Sequence, residues 1–392
     1  MTGYSHLEHA NDLEPSEGHH HLLQHCPVHR EDSHDPPFYV VSRYADVLAM
    51  LTTPDLWNSR DGSGVFHQRG GVLGSADGDD HRRQRKVLQD GFRPRSIDSL
   101  APRVERIGED LWASCFGVEG EGDFVQLFAF PFPAIVIAEL LGVAADDRDR
   151  FGKWSNDIVN SLGGGDLDLV EVASAGIYEI VDELVALRVA ALERNEEMPD
   201  DVVSVLTRAH LDGRLNYSEV RRLCVQLLVA GHETTASLIS LMLYRMIHQP
   251  ELATQLRDHP ELIDPAIEEF LRFESPVQGL FRTNATLCPL GDTQIPERTK
   301  VQLLFAAANR DTSVWEDPDT IRFDRTGARP HLAFGWGIHH CIGAALARLE
   351  ARLALRLIVE RLERVELIGP VAVNEPFILR GLTTLPIRWT VR

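Results

Sequence analysis

Cysteine is scarce in this chain. The five residues, Cys26, Cys115, Cys224, Cys288 and Cys341, are odd in number, widely scattered and never spaced C-x-x-C. That argues against a disulfide framework, a zinc site or a thiol-exchange motif. Long apolar runs are missing as well. Stretches such as Leu223 to Ala230 fall far short of the roughly 18 to 20 residues of a membrane span, so none is expected. Residues 1–30 lack a basic stretch followed by an apolar one, which leaves a cytoplasmic location as the expectation. Positive charge is in deficit: 39 Lys and Arg stand against 59 Asp and Glu, a formal net charge of −20. Nucleic acid and anionic membrane surfaces are therefore not expected partners. A hydrophobic share of 44% with 25% charged residues belongs to an ordered globular protein.

Residues 1–36 are polar and hold eight of the seventeen histidines. Without apolar periodicity they read as a flexible lead-in. A metal-binding tail is the weaker reading, because the histidines follow no helical repeat. Residues 37–392 read as one mainly α domain with small β-sheets, an α+β fold. Alternation predicts a strand over Phe38–Val41, and Tyr44–Leu51 a short helix ending before Pro54. The glycine-rich, acidic stretch 61–80 reads as a long loop of the kind that often forms a functional lid. From His81 to about Val359 the pattern is mostly helical. One helix, capped by Ser218, runs to His248 without a breaker pair, about 45 Å at 1.5 Å per residue. Short strands are expected within 285–305 and again over 364–391.

The run Phe334-Gly335-Trp336-Gly337-Ile338-His339-His340-Cys341-Ile342-Gly343 precedes a helical segment, Ala344 to Leu362. Free N–H groups and the positive dipole end of a helix stabilise a thiolate. Glycines let the backbone curl beneath a flat group, and the small residues Gly343, Ala344 and Ala347 leave it room. A dinucleotide loop does not fit, since His340 stands where G-x-G-x-x-G needs its third glycine. A second motif, Ala230-Gly231-His232-Glu233-Thr234-Thr235, begins like a zincin, but Ala236 stands where the second histidine ligand belongs. A mid-helix glycine costs about 1 kcal/mol relative to alanine, and an acid beside two threonines invites a local opening of the helix ladder. A third, Glu269-Phe270-Leu271-Arg272, places an acid and a base on one helix face.

Together these motifs resemble the cytochrome P450 family. Phe-Gly-x-Gly-x-His-x-Cys-x-Gly, A-G-x-[D/E]-T and Glu-x-x-Arg occur here in the family's order, and the similarity extends from about Phe38 to the C-terminus. The resemblance implies a haem between the long central helix and the Cys-bearing helix, with Cys341 as axial ligand of the iron. It places Phe334, Gly335 and Gly343 around that ligand and Ala230 and Gly231 against the cofactor. Glu233 and Thr234 are implied as the catalytic relay that passes protons to dioxygen. His81, Arg85, Arg282 and His339 are implied partners of the haem propionates, and Glu269 and Arg272 a buried scaffold pair. Where the family commonly adds an arginine to that pair this chain has Gly327, so Arg325 or Arg329 is left to supply it. With no C-x-x-C-H, the implied cofactor is haem b, iron protoporphyrin IX, held by ligation and packing.

The implied activity is monooxygenation: one atom of dioxygen enters a hydrophobic small molecule, with electrons from a ferredoxin and its ferredoxin reductase. A peroxide-driven peroxygenase would dispense with the Glu233-Thr234 pair, and a non-enzymatic haem sensor or carrier would not need it. Implied substrate contacts lie in the 61–75 loop, at Leu227, Ala230, Val277, Phe281 and Leu382. Residues 81–106 hold eight bases (Arg82, Arg83, Arg85, Lys86, Arg93, Arg95, Arg103, Arg106) against three acids, and form the implied docking face for an acidic ferredoxin, beside Arg348.

Overall fold

The computed structural model describes residues 5–10, 12–14, 17–89, 91–92, 94–144, 153–154, 157–158, 167–325 and 330–392. Its first elements are α1 (Glu17–His25), β1 (Val28–Glu31), β2 (Phe38–Val41), α2 (Tyr44–Thr52) and β3 (Trp57–Asn58). There follow α3 (Gly78–Gln89), α4 (Pro94–Cys115), β4 (Glu119–Asp123), α5 (Pro131–Leu141), α6 (Leu167–Glu193), α7 (Val202–Leu211) and α8 (Tyr217–His248). Next come α9 (Pro250–Asp258), α10 (Ile263–Glu274), β5 (Gly279–Asn284), β6 (Cys288–Leu290), β7 (Thr293–Ile295) and β8 (Lys300–Leu304). The last are α11 (Ala344–Arg361), β9 (Leu362–Leu367), β10 (Ala372–Val373), β11 (Leu382–Thr384) and β12 (Pro386–Val391). The helical middle and the two groups of short strands match the sequence pattern. Two compact units emerge.

One unit takes in 1–77, 241–341 and 371–383. Its sheet runs β1-β2-β8-β5-β3, with β2 and β8 parallel and the other pairs antiparallel. Inward-facing Val41, Val301 and Leu303 pack with Tyr44, Val47 and Leu51 of α2 and with Leu332, so the core reaches the segment that leads to Cys341. Glu269 and Arg272 of α10 are both buried and paired through two bonds of 2.8 Å. Arg325 adds a third, Nε to Glu269 Oε1 at 2.8 Å, and is thus the arginine the sequence left open; Gly327 and Arg329 lie outside the described residues. Arg272 also donates to the carbonyls of Asn309 and Pro318, each at 2.9 Å.

Two elements, α1 and β1, occupy the segment expected to be a flexible lead-in. Buried Glu31 accounts for this: it accepts from the His6 amide at 2.7 Å and from Ser33, while β1 pairs β2 from Val28↔Val41 to Glu31↔Phe38. Glu14 and the Leu13 carbonyl likewise meet buried Arg245. No apolar repeat advertises these contacts, because the segment is held by polar ones.

The other unit comprises 78–240, 342–370 and 384–392. It is mainly helical, with a three-stranded sheet β4-β12-β9. Trp112 stacks on Phe116 with centroids 4.3 Å apart, and Trp389 of β12 meets Phe116 edge-on at 4.9 Å. The start of α8 differs from expectation. Asn216 is the cap rather than Ser218: its side chain accepts from the Glu219 amide at 2.9 Å while Glu219 accepts from the Asn216 amide at 2.8 Å. This reciprocal box satisfies two N-terminal donors. Arg83 and Gln84 of α3 hold the same carboxylate, and against the opposing effect of burial these bonds bring Glu219 down to about 2. By length and composition α8 could cross a membrane, yet 72% of its most apolar window is buried inside the protein, as a core helix requires.

Removing one partner of a buried ion pair strands the other charge. Arg272→Ala should therefore lower unfolding stability by about 3–5 kcal/mol. Arg325→Ala, whose side chain is more exposed, should cost less. Denaturant melts of the two variants read the difference, and equal losses would contradict the central place given to Arg272.

Candidate functional site

Cys341 is the exposed member of the five cysteines; Cys224 and Cys288 are buried and Cys26 and Cys115 half-buried. Burial pushes the Cys224 thiol up to about 12 and raises Cys288 as well, so these remain inert thiols. The loop before Cys341 turns through Gly335 (φ +63°) and Gly337 (φ +70°). A Cβ at Gly337 would lie 2.5 Å from the Leu51 carbonyl oxygen at the end of α2, whereas at Gly335 nothing lies nearer than 4.0 Å. Gly337 thus seats the loop, and Gly335 leaves space beside it. Amide bonds close the curl: Gly335 to Leu332 O at 2.8 Å, His340 to Gly337 O at 3.1 Å and Cys341 to Phe334 O at 2.9 Å. Phe334 is half-buried, and Gly343 directly precedes α11.

Arg282 of β5 is buried. Its guanidinium donates to the Phe281 carbonyl at 2.8 Å and has no ion pair among the described residues. Burial pulls it down to about 10, with Asp77 opposing through space. A buried guanidinium in that state calls for an anion. Next to it on the sheet, Lys300 is also buried, and burial brings it to about 8. It donates to the carbonyls of Asp61 and Gly62 at 2.9 and 2.6 Å, pinning the long loop.

His339 does not stand alone. Its Nε2 lies 2.8 Å from Asp77 Oδ1, while Asp77 Oδ2 accepts from the Ser59 and Arg60 amides at 2.7 and 2.8 Å. Burial favours a raised Asp77 pKa, but the His339 bond and the two amides outweigh it and hold the carboxyl below its usual range. Sequence reasoning missed Asp77 because an acid just before a helix reads as an ordinary N-cap.

In the helical unit, His81 is buried and Arg85 half-buried one turn on along α3. On α8, Ala230 is exposed and Gly231, Glu233 and Thr234 are half-buried in mid-helix, with the Glu233 side chain only 13% exposed. The expected local opening is not found, since α8 is continuous and the Thr234 hydroxyl donates to the Ala230 carbonyl at 3.1 Å. Gly231 has a packing reason: a Cβ there would lie 3.0 Å from Ile137 of α5. His232 is fully buried edge-on to Phe130 at 4.5 Å, and burial lowers it to about 4. Burial pushes Glu233 up to about 7, the range of a working proton donor. Phe281, expected near substrate, is fully buried and edge-on to Phe38 at 5.0 Å.

The cytochrome P450 family model matches residues 24–388. The chain belongs to the cytochrome P450 family. It is 37% identical over 371 residues to cytochrome P450 107B1 of Saccharopolyspora erythraea, covering 89% of each. It is 34% identical to mycinamicin IV hydroxylase/epoxidase of Micromonospora griseorubida, covering 90% of this chain and 91% of that protein. Among solved structures it is similar to the P450 enzyme CxnD for C–S bond formation in chuangxinmycin biosynthesis, with a TM-score of 0.85, 33% identity and coverage of 94% and 92%. The family's cofactor is haem, and the residues fit it: an exposed cysteine on a glycine curl suits a metal ligand, and buried Arg282 suits a propionate. Hydroxylases and epoxidases among its relatives make this P450 a monooxygenase.

The Glu233 pKa has a sign that can be read in stability. Between its ordinary value of 4.5 and about 7 the folded state holds a proton that the unfolded chain has lost, so stability falls as pH rises through that window. Glu233→Gln should match the parent near its acid end and gain on it toward about pH 8, on a scale of about 1.4 kcal/mol per pKa unit before relaxation. Denaturant unfolding across that range gives the answer, and parallel curves for the two proteins would refute the shift.

Proposed function

We propose that this P450 hydroxylates or epoxidises a neutral hydrophobic small molecule, with Cys341 as the haem ligand and a ferredoxin with its ferredoxin reductase as electron source. The observation that carries the reading is Cys341 itself, exposed at the end of a curl that two positive-φ glycines make possible. Haem, when bound, supplies the activation of dioxygen by two electrons, and a thiolate ligand favours O–O cleavage. The protein's own share is binding, orientation and proton supply. Arg282, with His339, His81 and Arg85, would meet the propionates. Glu233, carried near neutrality by burial, would hold a proton and deliver it by way of the Thr234 hydroxyl. Neutral His232 behind it adds no competing charge. The relative named as a mycinamicin IV hydroxylase/epoxidase supports oxygen insertion as the reaction type.

For the partner, the basic run on α3 and α4 is partly spent internally. Arg83 is committed to Glu219 and Asp80, Arg103 to Glu139, and Arg82 to Asp79; Arg93 lies outside the described residues. Exposed Lys86, Arg95 and Arg106 form no ion pair among the described residues, and they are the better candidates for an acidic ferredoxin.

Replacing Cys341 by Ser should abolish the strongly red-shifted Soret band of the reduced carbon monoxide adduct; its persistence in that variant would sink the ligand assignment. Lys86→Glu combined with Arg95→Glu and Arg106→Glu should slow reduction by the ferredoxin at low salt and leave reduction by dithionite unchanged. The gap should close as salt screens the charges over about 10 Å at 0.1 M. Parent-like reduction by the ferredoxin at every salt concentration would place the docking face elsewhere.

A further inference from the structure

We propose that Asp77 is a positioning residue of the haem site, orienting His339 and tying the segment just after β3 to the loop that carries Cys341. The proposal rests on the haem-thiolate reading above. One carboxylate serves both sides: Oδ2 takes the consecutive amides of Ser59 and Arg60, and Oδ1 takes His339 Nε2. Both side chains are largely buried, 12% exposed for Asp77 and 8% for His339, so water does not compete for the bond.

His339 ends the tight turn Gly337–His339, whose next two amides are bonded to Gly337 O and Phe334 O. The imidazole is thus held at its base by the curl and at its tip by Asp77. Committing Nε2 to the carboxylate decides which ring nitrogen serves any further partner, and in which direction. Partners of this kind orient the groups they touch and commonly matter almost as much as the groups themselves. The same carboxylate acts through space on buried Arg282, the other propionate candidate of this unit. The two amides it holds lie beside Asp61 and Gly62, the residues Lys300 pins. Ring orientation and loop position therefore depend on one side chain.

Asp77→Asn separates the two roles. Its remaining oxygen still accepts from Ser59 and Arg60, but an NH2 group replaces the acceptor facing His339. In the purified holoprotein, Asp77→Asn should speed haem transfer to apomyoglobin by about 10-fold and shift the haem midpoint potential, while the thermal midpoint stays near that of the parent. In a His339→Ala background the Asp77→Asn change should add no further acceleration and no further shift. Parent-like transfer and potential in Asp77→Asn would overturn the proposal, as would an effect equally large with and without His339. Asp77→Ala, which removes the loop bonds as well, should lose haem faster than Asp77→Asn and melt earlier. The haem-thiolate reading fails separately: a parent protein without the red-shifted carbon monoxide band would overturn it, whatever Asp77→Asn does to haem transfer.

Discussion

The buried guanidinium of Arg272 is where the support of Cys341 begins. Locked by Glu269, it donates to the Asn309 carbonyl. The Asn309 side chain in turn accepts the Leu332 amide at 2.7 Å and donates to Ser275 at 2.9 Å. From Leu332 the bonds pass to Gly335, and from Phe334 to Cys341. Every link is a short directional bond, and each removes a rotation that would otherwise let the curl breathe. Arginine suits the first link because its planar fork serves a carboxylate and two carbonyls at once, which a lysine ammonium does not do with fixed geometry.

The buried charges of this unit do not share the acidic excess of the whole chain. The protein carries a net charge of −20, yet among the described residues of the unit Arg245, Arg272, Arg282, Lys300, Arg310 and Arg380 are buried against the acids Glu31, Asp61, Glu269, Glu274 and Asp311. Most are compensated. Arg245 and Arg380 share Glu274, and Arg310 pairs with Asp319 and lies 4.2 Å over the Phe273 ring. Arg282 and Lys300 are the exceptions, donating among the described residues to one carbonyl and to two. A buried guanidinium without a carboxylate calls for an anion, and the family's haem brings two carboxylates.

Sequence patterns reported the parts whose constraints are local. The Phe334–Gly343 curl needs glycine at φ values that other residues rarely adopt. The strand Phe38–Val41 shows as alternation, and α8 as length without breakers. Long-range polar pairing was invisible. Asp77 and His339 lie 262 positions apart, and no periodicity connects them. Arg325 could be named only as one of two candidates, because its reach to Glu269 depends on how the backbone turns after β8. Asn216 was passed over as the cap of α8 in favour of Ser218, though the Asn-x-x-Glu spacing was there to read. Segment 5–31 was misjudged because its anchor is one acid, Glu31, rather than an apolar stripe.

The loop ahead of α3 is fastened near its two ends and tied across its middle, where the Gln68 amide donates to the Asp61 carbonyl at 2.9 Å and Arg69 Nε to Asp61 Oδ1 at 3.1 Å. Lys300 and Asp77 hold residues 59 to 62. The Phe281 amide holds the Ser63 carbonyl, and the Ser63 hydroxyl meets that of Ser75 at 3.0 Å. Between Ser63 and Ser75 the chain is a closed noose containing Gly64, Gly70 and Gly71. Because the cost of closing a loop grows only slowly with its length, insertions in the exposed stretch 66–70 leave the fastened ends in place. In evolutionary terms its exposed tip, residues 66–70, is a replaceable cassette, since side chains there can change while buried Val65, Val72 and Leu73 keep the loop seated.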